Sequence, residues 1–234
     1  MGLFTPAELQ SYSKDMVAGG GSFINESGIH EITIKAVVVS RNANNARSLN
    51  ILYEYKGNPS VLYGLKLDNN LVDKNTGLHT PNFERAIFFR LCEICGVKPE
   101  NIDEVSVTTD TEPYFNYAKQ VAATGKPKPE NINVLQEFED KEVKVCLQRE
   151  WSLYNGQIKK KFVVKDFYRA DDNAHASEIV DTNIKAGTRY EKDLKMFSGK
   201  DKYNDGLTAE DVSSGSSTQA NTASNAPQAA NPFK

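Results

Sequence analysis

The sequence predicts a mainly β protein, and three observations carry this prediction. Alternating β-branched and polar residues run from Ile29 to Ser40, an Asn-Gly pair at 155–156 joins two later alternating runs, and helical periodicity stands out in one central segment. Hydrophobic residues make up 39% of the 234 residues and charged residues 25%, which is ordinary for a globular protein. The length fits a single barrel-sized domain with insertions.

The first three strands form the simplest antiparallel meander. In the first, Ile32, Ile34, Ala36 and Val38 fall on one face. The polar loop 41–48 leads into the strand LNILYEYKG, the turn 57–60 follows, and VLYGLKLDN is the third strand.

A helix follows the meander. Thr80-Pro81 marks its start, apolar residues recur at helical spacing from Phe83 to Ile94, and Gly96 marks its end. The next segment, about 101–133, contains three prolines and an aromatic cluster, and we interpret it as an insertion around a short helix.

The last two strands form a hairpin. The segment KEVKVCLQREW is the fourth strand, Asn155-Gly156 is a strong two-residue turn signal, and IKKKFVVKDFYR is the fifth strand. A meander, a helix and a hairpin are the order of a five-stranded OB-type barrel with a helix between strands three and four. A β-sandwich fragment and an SH3-like barrel remain alternatives.

The remaining segments flank this barrel. A capping box at Thr5 predicts a helix from Pro6 to Val17, followed by a glycine-rich hinge, so that residues 1–22 precede a main domain at 23–197. Residues 198–234 are rich in Ser, Ala, Asn and Gln and lack aliphatic periodicity, and we expect a disordered tail.

A formal net charge of −3 means that any binding of nucleic acid must come from a local cluster of cations. In the fifth strand, a two-residue period places cations and rings on one face, and further candidates lie at the hairpin and the first loop. Cations that follow phosphates and rings that stack on bases are typical of a groove for single strands, although a solvated strand face would explain the same charges. The predicted DNA-binding residues are Lys35, Arg41, Arg47, Trp151, Tyr154, Lys159, Lys161, Lys165, Phe167 and Arg169.

Cys92 and Cys95 form a lone C-x-x-C, a spacing found in redox dithiols and in half of a zinc site. Without a second such pair, small buried side chains are the better explanation of both cysteines. The sequence contains no catalytic template, so we expect no enzymatic activity, cofactor or metal. Two alternatives stay open: a protein-interaction module, and a thiol redox enzyme that uses the cysteine pair.

The opening residues lack the pattern of a secretion signal, and no apolar stretch is long enough to span a bilayer. Together with three cysteines, an odd number that argues against a disulfide framework, these features lead us to expect a cytoplasmic protein without membrane association.

The strand order, the segment Phe138–Val145 and the hairpin Tyr154–Gln157 resemble the single-stranded DNA-binding proteins of tailed phages, in particular those of the Enquatrovirus group. The resemblance covers about residues 20–180. It implies a protein of DNA replication, recombination and repair that coats exposed single strands and recruits replication or transcription proteins through its tail. Pro232 and Phe233 are the predicted partner contacts, although the tail is nearly neutral and ends in Lys234 rather than in the acidic run with an aromatic end that many such proteins carry.

Overall fold

The computed structural model describes residues 23–68 and 82–213. The described strands are β1 (Gly28–Arg41), β2 (Arg47–Tyr55), β3 (Asn58–Lys66), β4 (Glu104–Thr108), β5 (Asn131–Leu135), β6 (Glu142–Tyr154), β7 (Gln157–Arg169) and β8 (Lys202–Tyr203). The described α-helices are α1 (Phe83–Cys95), α2 (Tyr114–Ala123), α3 (Ala176–Val180), α4 (Thr188–Phe197) and α5 (Ala209–Ser213), and short 3-10 helices span Pro99–Asn101 and Gln136–Phe138.

The eight strands form one sheet that does not close. β1 pairs along one edge with β2, and its other edge is shared: β6 pairs with Gly28–Thr33 and β5 with Val37–Val39. These ladders are antiparallel, β4 extends the sheet beyond β5, and β8 alone joins in parallel. The mainly β prediction is therefore confirmed. The five predicted strands correspond to β1, β2, β3, β6 and β7, with β1–β2–β3 as a meander and β6–β7 as a hairpin, but β4, α2 and β5 lie between α1 and β6. In the described part of the chain no ladder joins β3 to β7, so a closed five-stranded barrel is not observed.

The main core lies between β1, β2, β6 and β7 on one side and α1 on the other. Ile34, Leu49, Leu147 and Leu91 are fully buried there. As the sequence predicts, α1 ends at Gly96, which adopts the left-handed conformation. Its start is capped by the side chain of Asn82, which accepts hydrogen bonds from two backbone N–H groups of the first turn.

The insertion contains more regular secondary structure than the sequence predicts. It contains the expected short helix, α2, but also β4 and β5, which the sequence analysis missed and which extend the sheet. α2 packs on the outer face of this sheet over a second apolar cluster, here called the outer cluster, made of Ala36, Val38, Leu52, Tyr117, Ile132 and Val134.

The β6–β7 hairpin has the predicted turn and an unpredicted bulge. Asn155 and Gly156 both have positive φ, as a tight two-residue hairpin requires. Cys146 lies opposite Asp166 whereas Leu147 lies opposite Val164, so Lys165 is an extra residue on β7. The alternation of faces along β7 is therefore interrupted at Lys165.

The chain does not lose regular structure at residue 198, where the sequence analysis placed the start of a disordered tail. β8 and α5 lie within 198–213, and β8 pairs with β6. The predicted helix and hinge at 1–22, the tail beyond 213 and the partner contacts Pro232 and Phe233 lie outside the described residues. Among the described helices, none is long and apolar enough to cross a membrane.

Candidate nucleic-acid interface

The distal half of the β6–β7 hairpin, residues 148–165, is here called the lysine hairpin. β1 accompanies β6 only as far as the pair Gly28–Leu147, so the lysine hairpin continues past the start of β1. It contains five cationic residues and a single acidic one, Glu150. This segment therefore holds a local excess of positive charge in a chain whose formal net charge is −3.

Cross-strand pairing divides these side chains between two faces, because residues directly opposite each other share a face. Trp151 pairs with Lys160 and Arg149 with Phe162, so cations and rings alternate on one face. Glu150 pairs with Lys161, and Ser152 with Lys159, on the other face. Trp151 thus does not share a face with Lys159 and Lys161, contrary to the single surface that the sequence analysis expected.

Three lysines surround the one carboxylate of the lysine hairpin. The Nζ atoms of Lys165, Lys202 and Lys161 lie 3.1, 3.6 and 3.7 Å from the carboxylate oxygens of Glu150. Burial opposes ionisation of Glu150, but the hydrogen bond from Lys165 and the charges of the three lysines outweigh it and hold its pKa below the ordinary value. One negative charge is thus shared among three cations, which leaves the surface positive.

The tip of the hairpin carries the most accessible groups. The side chain of Tyr154 is 66% exposed, and Lys159, Lys160 and Lys161 are all exposed. Among the described residues, Lys159 and Lys160 form no ion pair. An accessible ring beside unneutralised cations is what stacking and phosphate contacts require.

Trp151 is held by the segment that follows α4. Its Nε1 donates to Asp201 at 2.9 Å, and the Nε of Arg149 donates to the same oxygen at 2.6 Å. Ser27 donates to the other oxygen of Asp201 at 2.7 Å. Burial disfavours the charged form of Asp201, but these three donors outweigh it and lower its pKa. The indole is therefore half-buried and partnered rather than free.

Four of the predicted cations lie outside the lysine hairpin, and each is neutralised by a carboxylate. Lys35 pairs with Asp140 at 2.8 Å, Arg41 with Glu104 at 2.6 Å, and Arg47 with Asp68 at 2.8 Å. Arg169 pairs with Asp171 and Asp172. Arg41 and Arg47 also flank the loop after the far end of β1, whereas the lysine hairpin continues past its start. The structure therefore does not bring these cations to the hairpin.

The prediction that Phe167 stacks on bases is wrong. Its ring is 0% exposed and belongs to the main core. The extra residue at Lys165 is the reason: it shifts the phase of β7, so that Phe167 points inward while Lys159 and Lys161 lie on the opposite face.

The cysteines do not have the environment of reactive thiols. Cys92 and Cys146 are buried and Cys95 is half-buried, and burial raises the pKa of each of the three thiols to about 12. Reactive cysteines have lowered pKa values and accessible sulfur atoms. Among the described residues, no group of three or more potential ligands could hold a metal ion.

Three residues at this site are not among those predicted from the sequence. A strict two-residue period puts Lys160 on the face of β7 opposite the predicted interface, Arg149 lies in a strand dominated by buried residues, and Lys202 falls in the segment expected to be disordered. The run Lys159-Lys160-Lys161 is the available signal for Lys160, because three consecutive lysines put cations on both faces of a strand. No protein-family model matches the sequence, and no curated protein matches it.

Proposed function

We propose that the protein binds single-stranded DNA without sequence preference, through the lysine hairpin. The observation that carries the proposal is the set of exposed lysines at 159–161, next to the exposed ring of Tyr154 and with one nearby carboxylate to neutralise them. Non-specific binding needs cations that follow the phosphates and rings on which any base stacks, and it needs no base-edge contacts.

The scaffold supports the same proposal. The meander β1–β2–β3, the helix α1 and the hairpin β6–β7, with β1 paired to both β2 and β6, are consistent with an OB-type fold that is interrupted by the insertion and not closed by a β3–β7 ladder in the described part of the chain. OB-type folds often bind oligonucleotides. The resemblance to phage single-stranded DNA-binding proteins suggests a role in replication and recombination, on exposed strands in the cytoplasm of a host cell. Fold alone does not determine function, so the proposal depends on the hairpin.

A titration of the full chain with oligo-dT tests it. Trp151 is the only tryptophan and lies on the lysine hairpin, so its fluorescence reports binding there. We expect quenching at low salt, with an affinity that falls steeply as salt rises. Unchanged fluorescence, together with no comigration of labelled oligo-dT in a gel, would overturn the proposal and favour the protein-interaction module.

A matched pair of triple variants locates the site. Replacing Lys159, Lys160 and Lys161 by Ala should weaken binding about 100-fold in about 0.1 M salt and reduce the salt slope by about 2, since each phosphate contact in a single strand contributes about 0.7. The control replaces the exposed lysines Lys98, Lys185 and Lys192 by Ala. It removes the same charge and should change the affinity by less than about threefold. Equal losses in the two variants would mean that net charge, not the hairpin, binds DNA.

A further inference from the structure

The outer edge of β4 has unpaired backbone groups in a defined pattern. The N–H of Thr109 donates to the carbonyl oxygen of Glu130 at 2.9 Å, in register with the β4–β5 ladder. Hydrogen-bonded and non-bonded pairs alternate in an antiparallel ladder, so Val107 and Val105 also bond to β5. The N–H and C=O groups of Glu104, Ser106 and Thr108 therefore point away from β5, and among the described residues nothing pairs with them.

This edge is complementary to itself. A two-fold axis at Ser106 places Ser106 opposite Ser106 of a second copy, Val105 opposite Val107, and Glu104 opposite Thr108. All three outward N–H groups and all three outward carbonyls of each strand then find partners, which makes six hydrogen bonds. A two-fold axis at Val105 or at Val107 also brings outward groups face to face, but it pairs only three residues of each strand. The register centred on Ser106 is therefore the most favourable.

Side chains are compatible with this pairing. The carboxylate of Glu104 already accepts hydrogen bonds from Arg41 at 2.6 and 2.7 Å and from Asn133 at 3.2 Å, and it would lie opposite an uncharged Thr108. The half-buried Val105 and Val107 would form two cross-strand valine pairs, which are favourable on a β surface.

The β4 edge has fewer of the features that prevent strand pairing than the β3 edge. Proteins protect exposed edges with proline, lysine, bulges or very short strands. β3 has three of these: Pro59, Lys66 and a bulge at Tyr63–Gly64 opposite Asn50. β4 is short, with five residues, but its sequence EVSVT has no proline, lysine or bulge.

We propose that β4 pairs with β4 of a second copy of this chain, forming a two-fold dimer in which the two sheets are continuous. We choose a second copy as the partner because the same five residues serve on both sides of the contact. Two copies of EVSVT pair all their outward backbone groups, place valine opposite valine, and place Glu104 opposite the uncharged Thr108. A contact of five residues per chain is small, so the dimer should dissociate in the micromolar range or above. This proposal does not depend on DNA binding.

Sedimentation velocity of the full chain over increasing concentration, without DNA, tests the dimer. We expect the sedimentation coefficient to rise from the monomer to the dimer value, and Ser106→Pro to remain monomeric over the same range. The N–H of Ser106 faces outward, where an edge strand tolerates proline, so the thermal midpoint of the variant should stay within about 3 °C of the wild type. A wild type that stays monomeric, or a dimer that survives in folded Ser106→Pro, would overturn the proposal.

A cysteine cross-link gives an independent positive test. Hydrogen-bonded antiparallel pairs have Cα atoms about 5.5 Å apart, within the range of a disulfide. Ser106→Cys should therefore form a covalent dimer under mild oxidation, whereas Ser198→Cys, an exposed control on α4's end, should not. Equal cross-linking of both variants would show random collision and count against the β4 interface.

Discussion

The lysine hairpin and the loop between β1 and β2 are both rich in cations, but they differ in how those charges are neutralised. At the loop, Arg41 and Arg47 each have a carboxylate of their own. In the lysine hairpin, Glu150 is shared by Lys161, Lys165 and, from β8, Lys202, and Lys159 and Lys160 have no acidic partner among the described residues. A basic sequence therefore predicts an anion-binding surface only where nearby carboxylates are too few to neutralise it.

The exposed ring at the hairpin tip should have the largest single effect. Tyr154→Leu keeps an apolar side chain but removes the ring, and we expect oligo-dT affinity to fall by about 1–3 kcal/mol. Fluorescence titration at fixed salt measures this loss, and Tyr63→Leu on β3, which is also exposed, is the control. An unchanged affinity would show that the bases do not contact the tip.

The ion pair between Arg149 of the lysine hairpin and Asp201 should contribute to stability. Asp201→Asn removes the acceptor of Arg149, Trp151 and Ser27, and we expect the free energy of unfolding at pH 7 to fall by about 2 kcal/mol. Because the folded-state pKa of Asp201 is lowered from 3.8, its contribution is complete above that value and is lost as pH falls through the folded pKa.

Urea denaturation of the wild type and of Asp201→Asn between pH 7 and pH 3 measures this difference. The gap between the two should narrow as pH decreases below about 4. The exposed Asp181 offers a control, since Asp181→Asn should leave the free energy of unfolding within about 0.5 kcal/mol of the wild type. A constant gap across this range would show that the charge of Asp201 does not stabilise the fold.

Glu150 is the carboxylate that partly neutralises the lysines of the hairpin. Glu150→Gln removes the only acidic side chain of the lysine hairpin, so we expect oligo-dT to bind about fivefold more tightly, with a steeper dependence on salt. Glu93→Gln, an exposed change on α1, alters the net charge equally and should have little effect. Weaker binding by Glu150→Gln would indicate that Glu150 positions the lysines rather than neutralising them.

The smallest effect should come from the loop. Replacing Arg41 and Arg47 by Gln should change the affinity for oligo-dT by less than about twofold, because both cations already interact with carboxylates. A gel-shift titration beside the Lys159, Lys160 and Lys161 triple variant compares the two regions directly. A loss of affinity as large as that of the triple variant would show that the loop cations bind DNA as strongly as the lysine hairpin does.

Local sequence patterns predicted the main elements of the fold. Alternation identified β1, β2 and β3, helical spacing and Gly96 identified α1, and Asn155-Gly156 identified the hairpin. These signals succeed because each depends on neighbours a few residues away. β4 and β5, with five residues each, are too short for their alternation to stand out.

The misassigned site residues depend on contacts that are distant in sequence. The carboxylate that neutralises Lys35 is 105 residues away, and that of Arg41 is 63 residues away, so no local pattern reveals either pair. The inward position of Phe167 follows from a single extra residue at Lys165, which a strict two-residue period does not include. The order of the segment around Asp201 likewise depends on donors from β6 and from Ser27.

β1 is the strand on which both halves of the sheet depend. Its fourteen residues hydrogen-bond with β2 on one edge and with β6 and then β5 on the other. Neither the hairpin side nor the insertion side can therefore detach from the molecule without breaking ladders to this strand. Unfolding should accordingly be cooperative, and the amides of Val37–Val39, paired on both sides, should be among the last to exchange with solvent.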